Sequence, residues 1–208
     1  MNMKKIDLKK ELKYLYNPSK TNPEIINIPE FQYLMIDGTD ARPESQGFQS
    51  AIQALFGVSY KTKFQIKKSK NQDYVVMPLE GLWWAEDMND FIRGDKQNWK
   101  WTLMIMQPDF VEKVDILEAI ETVKKKEDTE ALNELRLKTL NEGLSAQIMH
   151  IGPFSEEHQN ILKVHQLIEE QHGVFNGQVQ KHHEIYLSDF RRTAPEKLKN
   201  IIRQPFIT

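Results

Sequence analysis

The 208 residues contain no cysteine, which excludes a disulfide framework and any thiolate metal site. The chain has no apolar run of about 18 residues, so no bilayer-spanning helix is expected. Its opening residues, MNMKKIDLKKELKYLYNPSK, lack the apolar core of a secretory signal, and a cytoplasmic location is expected. Charge of one sign is missing too. Acidic and basic residues nearly cancel to a net charge of -2, which argues against a general role on nucleic acid or anionic membrane. No phosphate-binding glycine loop and no serine in a nucleophile elbow occur. What stands out is aromatic: all four tryptophans fall between Trp83 and Trp101.

Leu8 to Tyr16 has helical spacing, and Asn17-Pro18-Ser19 followed by Pro23 stops it, so residues 1–22 are expected as an N-terminal helix or arm before a single domain over 23–208. Phe31 to Asp37 alternates as a strand, with Phe31, Tyr33 and Met35 on one face and Gly38 expected at its end. Phe48, Ile52, Leu55 and Phe56 predict a helix over 44–56, resuming through Phe64 and Ile66 beyond Gly57. Strands follow at Asp73 to Glu80 and Trp99 to Met106. Residues 109–140 read as helices with a solvated turn at 124–128 between them.

Leu144 to Ile151 is the next strand, closed by Gly152-Pro153. Ser155 is the expected cap of a helix whose stripe is Ile161, Val164, His165 and Ile168, ended by Gly173. The last strand runs from His182 to Leu187, and Thr193 to Leu198 reads as a helix start. The halves share an order of elements, and Met35 precedes Gly38 as Met149 precedes Gly152, by three residues. The expected architecture is α+β: two tandem pseudo-symmetric strand-helix-strand-strand repeats, about 28–107 and 143–206, joined by a helical connector over 109–140. Helices on one side of an antiparallel sheet would leave a ligand cleft on the other.

Alternation puts His182, Glu184, Tyr186 and Ser188 on one strand face, and Tyr74, Val76, Pro78 and Glu80 together on an earlier one. A carboxylate among aromatic walls suits a bulky apolar ligand, either holding a cation or activating water as a general base. Glu184 leads the candidates. Glu80 is either its counterpart in the first repeat or unrelated to it, the Trp99 strand being the alternative. Trp83 and Trp84 cannot share a cleft unless Gly81 bends the chain. Tyr33, Met35, Tyr74, Trp83, Trp84, Trp101, Phe154 and His182 are the candidate ligand contacts. His182 and His183 diverge on a strand without completing a ligand set, so no metal is expected, and no cofactor either. Arg191, Arg192, Lys197 and Lys199 read as a solvated helix start.

On MPLEGLWW (77–84), WKWTLMIMQPDF (99–110) and EIYLSDFRRTAPEKLKNIIRQP (184–205), the chain resembles the GyrI-like small-molecule-binding family, relatives of the effector-binding domains of multidrug-responsive regulators. The resemblance covers about Asn22 to Phe206 and implies tandem repeats with a cleft between them and Glu184 as the acidic residue at its base. Some stand-alone members hydrolyse the cyclopropane ring of DNA-alkylating natural products, giving cellular protection. That activity implies Glu184 activating water, Glu80 or Glu157 assisting, Tyr186 or Tyr74 donating to the ligand carbonyl, and tryptophans gripping flat rings. Alternatives are a non-catalytic multidrug-binding or sensing module, and an interaction protein like the family's gyrase inhibitors, with DNA gyrase as a partner by resemblance only. No helix-turn-helix precedes the domain, so direct nucleic-acid binding is not expected.

Overall fold

Alternating residues build one large sheet, and two helical stripes cover one of its faces. The computed structural model describes residues 5–127 and 129–208; Asp128, the end of the expected solvated turn, lies outside them, as do residues 1–4. In chain order the elements are β1 (Lys5–Ile6), α1 (Leu8–Glu11), α2 (Lys13–Tyr16), β2 (Glu24–Ile28), β3 (Phe31–Thr39), α3 (Gln46–Ser69), β4 (Asp73–Tyr74), β5 (Leu79–Ala85), α4 (Met88–Arg93) and β6 (Trp99–Gln107). There follow α5 (Lys113–Lys124), α6 (Glu130–Glu134), β7 (Arg136–Leu140), β8 (Gly143–Ile151), α7 (His158–Glu170), β9 (His182–Tyr186) and β10 (Lys199–Pro205). Among the described residues no helix is long and apolar enough to cross a membrane.

The fold is α+β, with an open antiparallel sheet of eight strands in the order β2-β8-β10-β9-β5-β6-β3-β7. At its centre β5 lies beside β9, flanked by β6 and β3 on one side and by β10 and β8 on the other. Met35 is opposite Met104, which is opposite Glu80. Met149 is opposite Ile201, which is opposite Ile185. Glu80 and Ile185 themselves face each other. A pseudo-twofold axis through that pair therefore relates the halves, and the counterpart of Glu184 is Leu79 rather than Glu80.

Several elements differ from expectation. Helix α3 runs unbroken through Gly57, because Phe48, Ile52, Leu55, Val58 and Ile66 form one buried stripe whose packing outweighs the roughly 1 kcal/mol cost of an interior glycine. Gly38 lies inside β3, opposite Trp101, and does not end it. Residues 75–78 are not a strand, so β4 and β5 are separate. Arg136 to Leu140 is an edge strand rather than the end of a helix, and the expected helix start after Thr193 is only a 3-10 turn leading into β10.

Cross-strand partners share a sheet face. Leu79, Gly81 and Trp83 therefore share one with Tyr186, Glu184 and His182, and Ile202, opposite Glu184, packs against Val164 and Ile168 of α7. Phe48 of α3 covers the same face, with ring centroids 5.9 Å from Trp83 and 5.6 Å from Trp101. Glu184 thus faces the helices, correcting the expectation that it faces away from them.

The opposite face buries charge. His183 bridges Glu142 (Nδ1 to Oε1, 2.8 Å) and Glu80 (Nε2 to Oε2, 3.0 Å), and the Tyr16 hydroxyl donates to Glu80 Oε1 at 3.0 Å. Arg203, only 2% exposed, donates to Glu142 at 3.0 Å, to Gln147 at 3.0 and 3.2 Å, and to the Leu15 carbonyl at 3.2 Å. Burial opposes both charges, yet the Glu142 carboxylate raises the His183 imidazole to about 9, and His183 with Arg203 holds Glu142 down at about 2. The network joins α2, the β7–β8 turn, β5, β9 and β10 beneath the cleft.

Candidate functional site

Pro153 follows Gly152, whose φ of 135° turns the chain sharply after β8. A 3-10 turn at Phe154–Glu156 comes next, and α7 begins at His158 with Glu157, not Ser155, at its N-cap. That two-residue delay turns Glu157 inward. Its Oε1 accepts from Asn200 Nδ2 at 2.7 Å on neighbouring β10. Glu184, from the centre of β9, shares the resulting cavity of about 540 Å³ between α3 and α7.

The walls are aromatic. Phe154, Tyr186 and Phe190 meet edge to face at 5.8 to 6.2 Å at one end. Phe48, Trp83 and Trp99 close the other, Trp83 and Trp99 edge to face at 6.3 Å. Gly81 makes the floor flat: a Cβ there would fall 2.8 Å from Trp83 Nε1, so only glycine lets the indole lie across the strand beside Glu184. The indole N–H makes no hydrogen bond of ordinary geometry and lies near the Tyr186 hydroxyl. Gly81→Ala is expected to displace this ring and weaken ligand binding about tenfold, equivalent to roughly 1.4 kcal/mol, measured by tryptophan fluorescence quenching.

The two carboxyl groups are driven apart. Burial raises Glu184, but the His182 imidazole at 3.3 Å, the Tyr186 hydroxyl and the Lys96 charge outweigh it and hold the carboxyl below its ordinary value. Burial also raises Glu157, and there the Glu184 charge adds to it, taking the group to about 9 despite Asn200. At neutral pH one is an anion and the other a neutral acid. Burial and both carboxylates push the Tyr186 phenol well up, leaving it a donor. His165 is pushed down to about 4 by burial and by His182 and His158, and is neutral.

The raised Glu157 carries a stability consequence. Its folded-state value lies above the unfolded one, so its contribution is complete below pH ~4.5 and is lost as pH rises towards 9. Glu157→Gln keeps an acceptor for Asn200 and removes that ionisation. The variant is expected to gain Tm relative to the parent between pH 6 and 9, by about 2–4 °C for each kcal/mol recovered, in melts run across that window. An unchanged pH slope would contradict a neutral buried Glu157.

Of the twelve candidates, Glu184, Tyr186, Glu157, Trp83, Phe154 and His182 line this cavity. The other six lie elsewhere. Glu80 is on the far face within the buried network, with Tyr33 and Met35, which share that face through Met106 and Met104. Tyr74 belongs to two-residue β4, where its ring meets Phe110 at 5.7 Å; alternation cannot link it to Glu80 across the non-strand residues between them. Trp84 takes the far face too, beneath the Lys181 ammonium 3.3 Å from its ring. Trp101 lies over Gly38 and under Phe48, its indole donating to the Thr39 carbonyl at 3.1 Å.

Sequence reasoning missed Phe48, Trp99, Phe190, His158, His165 and Ile161 as cavity residues. Phe48, Ile161 and His165 sit on stripes that read as core, because a helix facing an open cleft has the same periodicity as one facing a filled interior. Phe190 follows β9 in a loop, where no periodicity exists to place it. His182 and His183 point to opposite faces, and among the described residues no cluster of three or more His, Asp or Glu could hold a metal ion.

The chain is similar to several known proteins. The family model for the GyrI-like small molecule binding domain matches residues 21–204. An uncharacterized conserved protein from Listeria innocua is 40% identical, with 98% of this chain and 100% of that one covered and a TM-score of 0.89. A hydrolase from Listeria innocua is 39% identical over the same shares, with a TM-score of 0.87. The C-terminal domain of EcmrR, 11% identical over 90% of this chain and 98% of that one at a TM-score of 0.55, shares the fold. None of the curated proteins compared matches the chain.

Proposed function

The chain belongs to the GyrI-like small-molecule-binding domain family, and from that premise we propose that it hydrolyses electrophilic, flat aromatic molecules, opening the cyclopropane ring of cyclopropanoid alkylators. What carries this reading is the placement of Glu184 and Glu157 in one aromatic cavity, where His182 at 3.3 Å favours the Glu184 anion while burial and the Glu184 charge favour the protonated Glu157. Two carboxyl groups held in opposite protonation states supply a base and an acid at the same pH. The likeness to the Listeria hydrolase supports hydrolytic chemistry.

In the proposed reaction Glu184 takes a proton from water as the water oxygen bonds to a cyclopropane carbon. The strained C–C bond breaks, and its electron pair passes through the conjugated ring to the carbonyl oxygen. Tyr186 donates a hydrogen bond to that oxygen and Glu157 supplies its proton, giving a phenol. Proton exchange with solvent restores both carboxyl groups. His182 keeps Glu184 oriented and anionic, while Trp83, Trp99 and Phe48 hold the flat rings.

The test is turnover of a spirocyclopropyl dienone in ¹⁸O-water, followed by mass spectrometry. One labelled oxygen in the ring-opened product, in molar excess over protein, is expected. Intact ligand recovered from a tight complex would replace hydrolysis with a sequestering or sensing module, the second reading an aromatic cavity supports.

A further inference from the structure

Opening a cyclopropane against a conjugated carbonyl does not need everything the cavity provides. The leaving group is a phenolate, whose phenol has an ordinary pKa of about 10, and a hydrogen bond from Tyr186 is enough to carry its charge. The cavity holds a carboxylic acid as well. Glu157 is buried, and because its Oε1 accepts from Asn200 Nδ2 at 2.7 Å, the acid's proton sits on Oε2. The Tyr186 hydroxyl meanwhile supports the neighbouring Glu184 anion. Glu157 is thus a stronger acid than the departure of a phenolate requires.

Strand pairing fixes where the two carboxyl groups stand. Asn200 lies opposite Tyr186, and Ile202 lies opposite Glu184. Glu157 therefore reaches down from the start of α7 to a point on β10 that is one strand over and two residues along from Glu184, a diagonal of roughly 7–8 Å between backbone positions. Glu184 rises from the sheet and Glu157 descends from the helix layer, so they meet a bound ring from different sides. The aromatic side chains of Phe48, Trp83 and Trp99 complete a space in which a flat aryl group can lie between them.

A strained ring that leaves as an alkoxide does need such an acid. Alkoxides are about as basic as hydroxide, the pKa of bulk water being about 15.7, and one departs readily only as it takes a proton. In an oxirane the oxygen that leaves is bonded to the carbon that water attacks, so base and acid must converge on one three-membered ring rather than on the two ends of a conjugated system. We propose that the same cavity hydrolyses aryl-substituted oxiranes to vicinal diols. Glu184 takes a proton from water as the water oxygen bonds to the carbon bearing the aryl group. The C–O bond at that carbon breaks, its electron pair stays on the oxygen, and the oxygen takes the proton of Glu157. Exchange with solvent then returns Glu184 to the anion and Glu157 to the acid. The proposal rests on the acid–base reading of this cavity and adds a second substrate class in which a different bond is broken.

The experiment gives the full chain racemic naphthyloxirane at neutral pH in ¹⁸O-water, beside the spirocyclopropyl dienone. Naphthyl diol is expected in molar excess over protein, at least about 10²-fold faster than in buffer, with one labelled oxygen already present in the first turnover when protein is in excess. Glu157→Gln should lower oxirane opening by about 10²–10⁴-fold but dienone opening by only about tenfold or less, since a glutamine amide still donates to a carbonyl and cannot give up a proton. The thermal melts of that variant check that it folds. Dienone turnover without diol above the buffer rate would overturn oxirane hydrolysis and leave the first reading standing. Diol without dienone turnover would sustain the oxirane proposal and remove cyclopropane opening, and turnover of neither would remove the acid–base reading itself. Equal losses on both substrates in Glu157→Gln would overturn Glu157 as the acid for the departing oxygen, and an unlabelled diol in the first turnover would overturn water as the attacking group.

Discussion

Replacing Glu184 by glutamine is expected to lower kcat for cyclopropane opening by about 10²–10⁴-fold, the usual contribution of a general base, with ligand affinity changed by less than about fivefold. Glutamine matches the carboxylate in size and can still meet His182 Nε2, 3.3 Å away, so the cavity keeps its shape. It cannot take a proton from water. Single-turnover kinetics with fluorescence binding separate the two effects; retention of the parent rate would remove Glu184 from the mechanism. The pH profile follows the same groups. The parent rate should fall as acid protonates Glu184 below the ordinary carboxylate range, and again above about 9 as Glu157 ionises. Glu157→Gln should lose the alkaline limb from its residual activity.

The largest expected effect on stability lies beneath the cleft. Arg203→Met strips Glu142, Gln147 and the Leu15 carbonyl of a shared donor within a fully buried cluster. Breaking a buried ion pair by removing one partner costs about 3–5 kcal/mol, and at about 2–4 °C per kcal/mol for a chain of this size the Tm should fall by roughly 6–20 °C. The double change Arg203→Met with Glu142→Gln should recover part of that loss, because it removes a buried carboxylate that has lost one of its two cationic partners, while His183 keeps Glu80. A melt within about 2 °C of the parent would show that solvent reaches the cluster. Since β9 carries His183 into this network and Glu184 into the cleft on successive residues, loosening the network should also blunt catalysis.

The parts of the fold legible in the sequence were those whose apolar residues form an unmistakable run or stripe. The strand beginning at Phe31, that beginning at Trp99 and that ending at Ile151 carry apolar runs buried on both faces, and the stripe from Phe48 marks α3. Strand β10 was opaque for a physical reason. In KNIIRQP, Asn200, Ile202 and Gln204 face the helices while Ile201 and Arg203 face the charged network, and all are buried. Polar residues satisfied on both faces erase the pattern by which strands are read. Alternation within β9 is local, so Glu184 was grouped with His182 and Tyr186, with which it shares a face and a cavity. Glu80 was misplaced because its face depended on a run from Tyr74 that the chain breaks at residues 75–78. Glu157 was the hardest residue to interpret: its chemistry arises from where α7 starts, two residues later than the capping pattern suggested.

The pseudo-twofold axis through Glu80 and Ile185 governs how a ligand must lie. A frame with that symmetry would offer every guest two equivalent poses, related by a half-turn. Here the half-turn carries Glu184 onto Leu79 and Tyr186 onto Gly81, so the oxygen groups on the central strand pair's cleft face come from one half, and the other supplies Leu79, the Trp83 indole and the bare backbone of Gly81. The degeneracy is gone, and only one pose brings an electrophilic carbon to the carboxylate. In the proposed hydrolysis, water activated at Glu184 arrives from a fixed direction, which makes the cleft handed: mirror-image ligands should be opened at different rates.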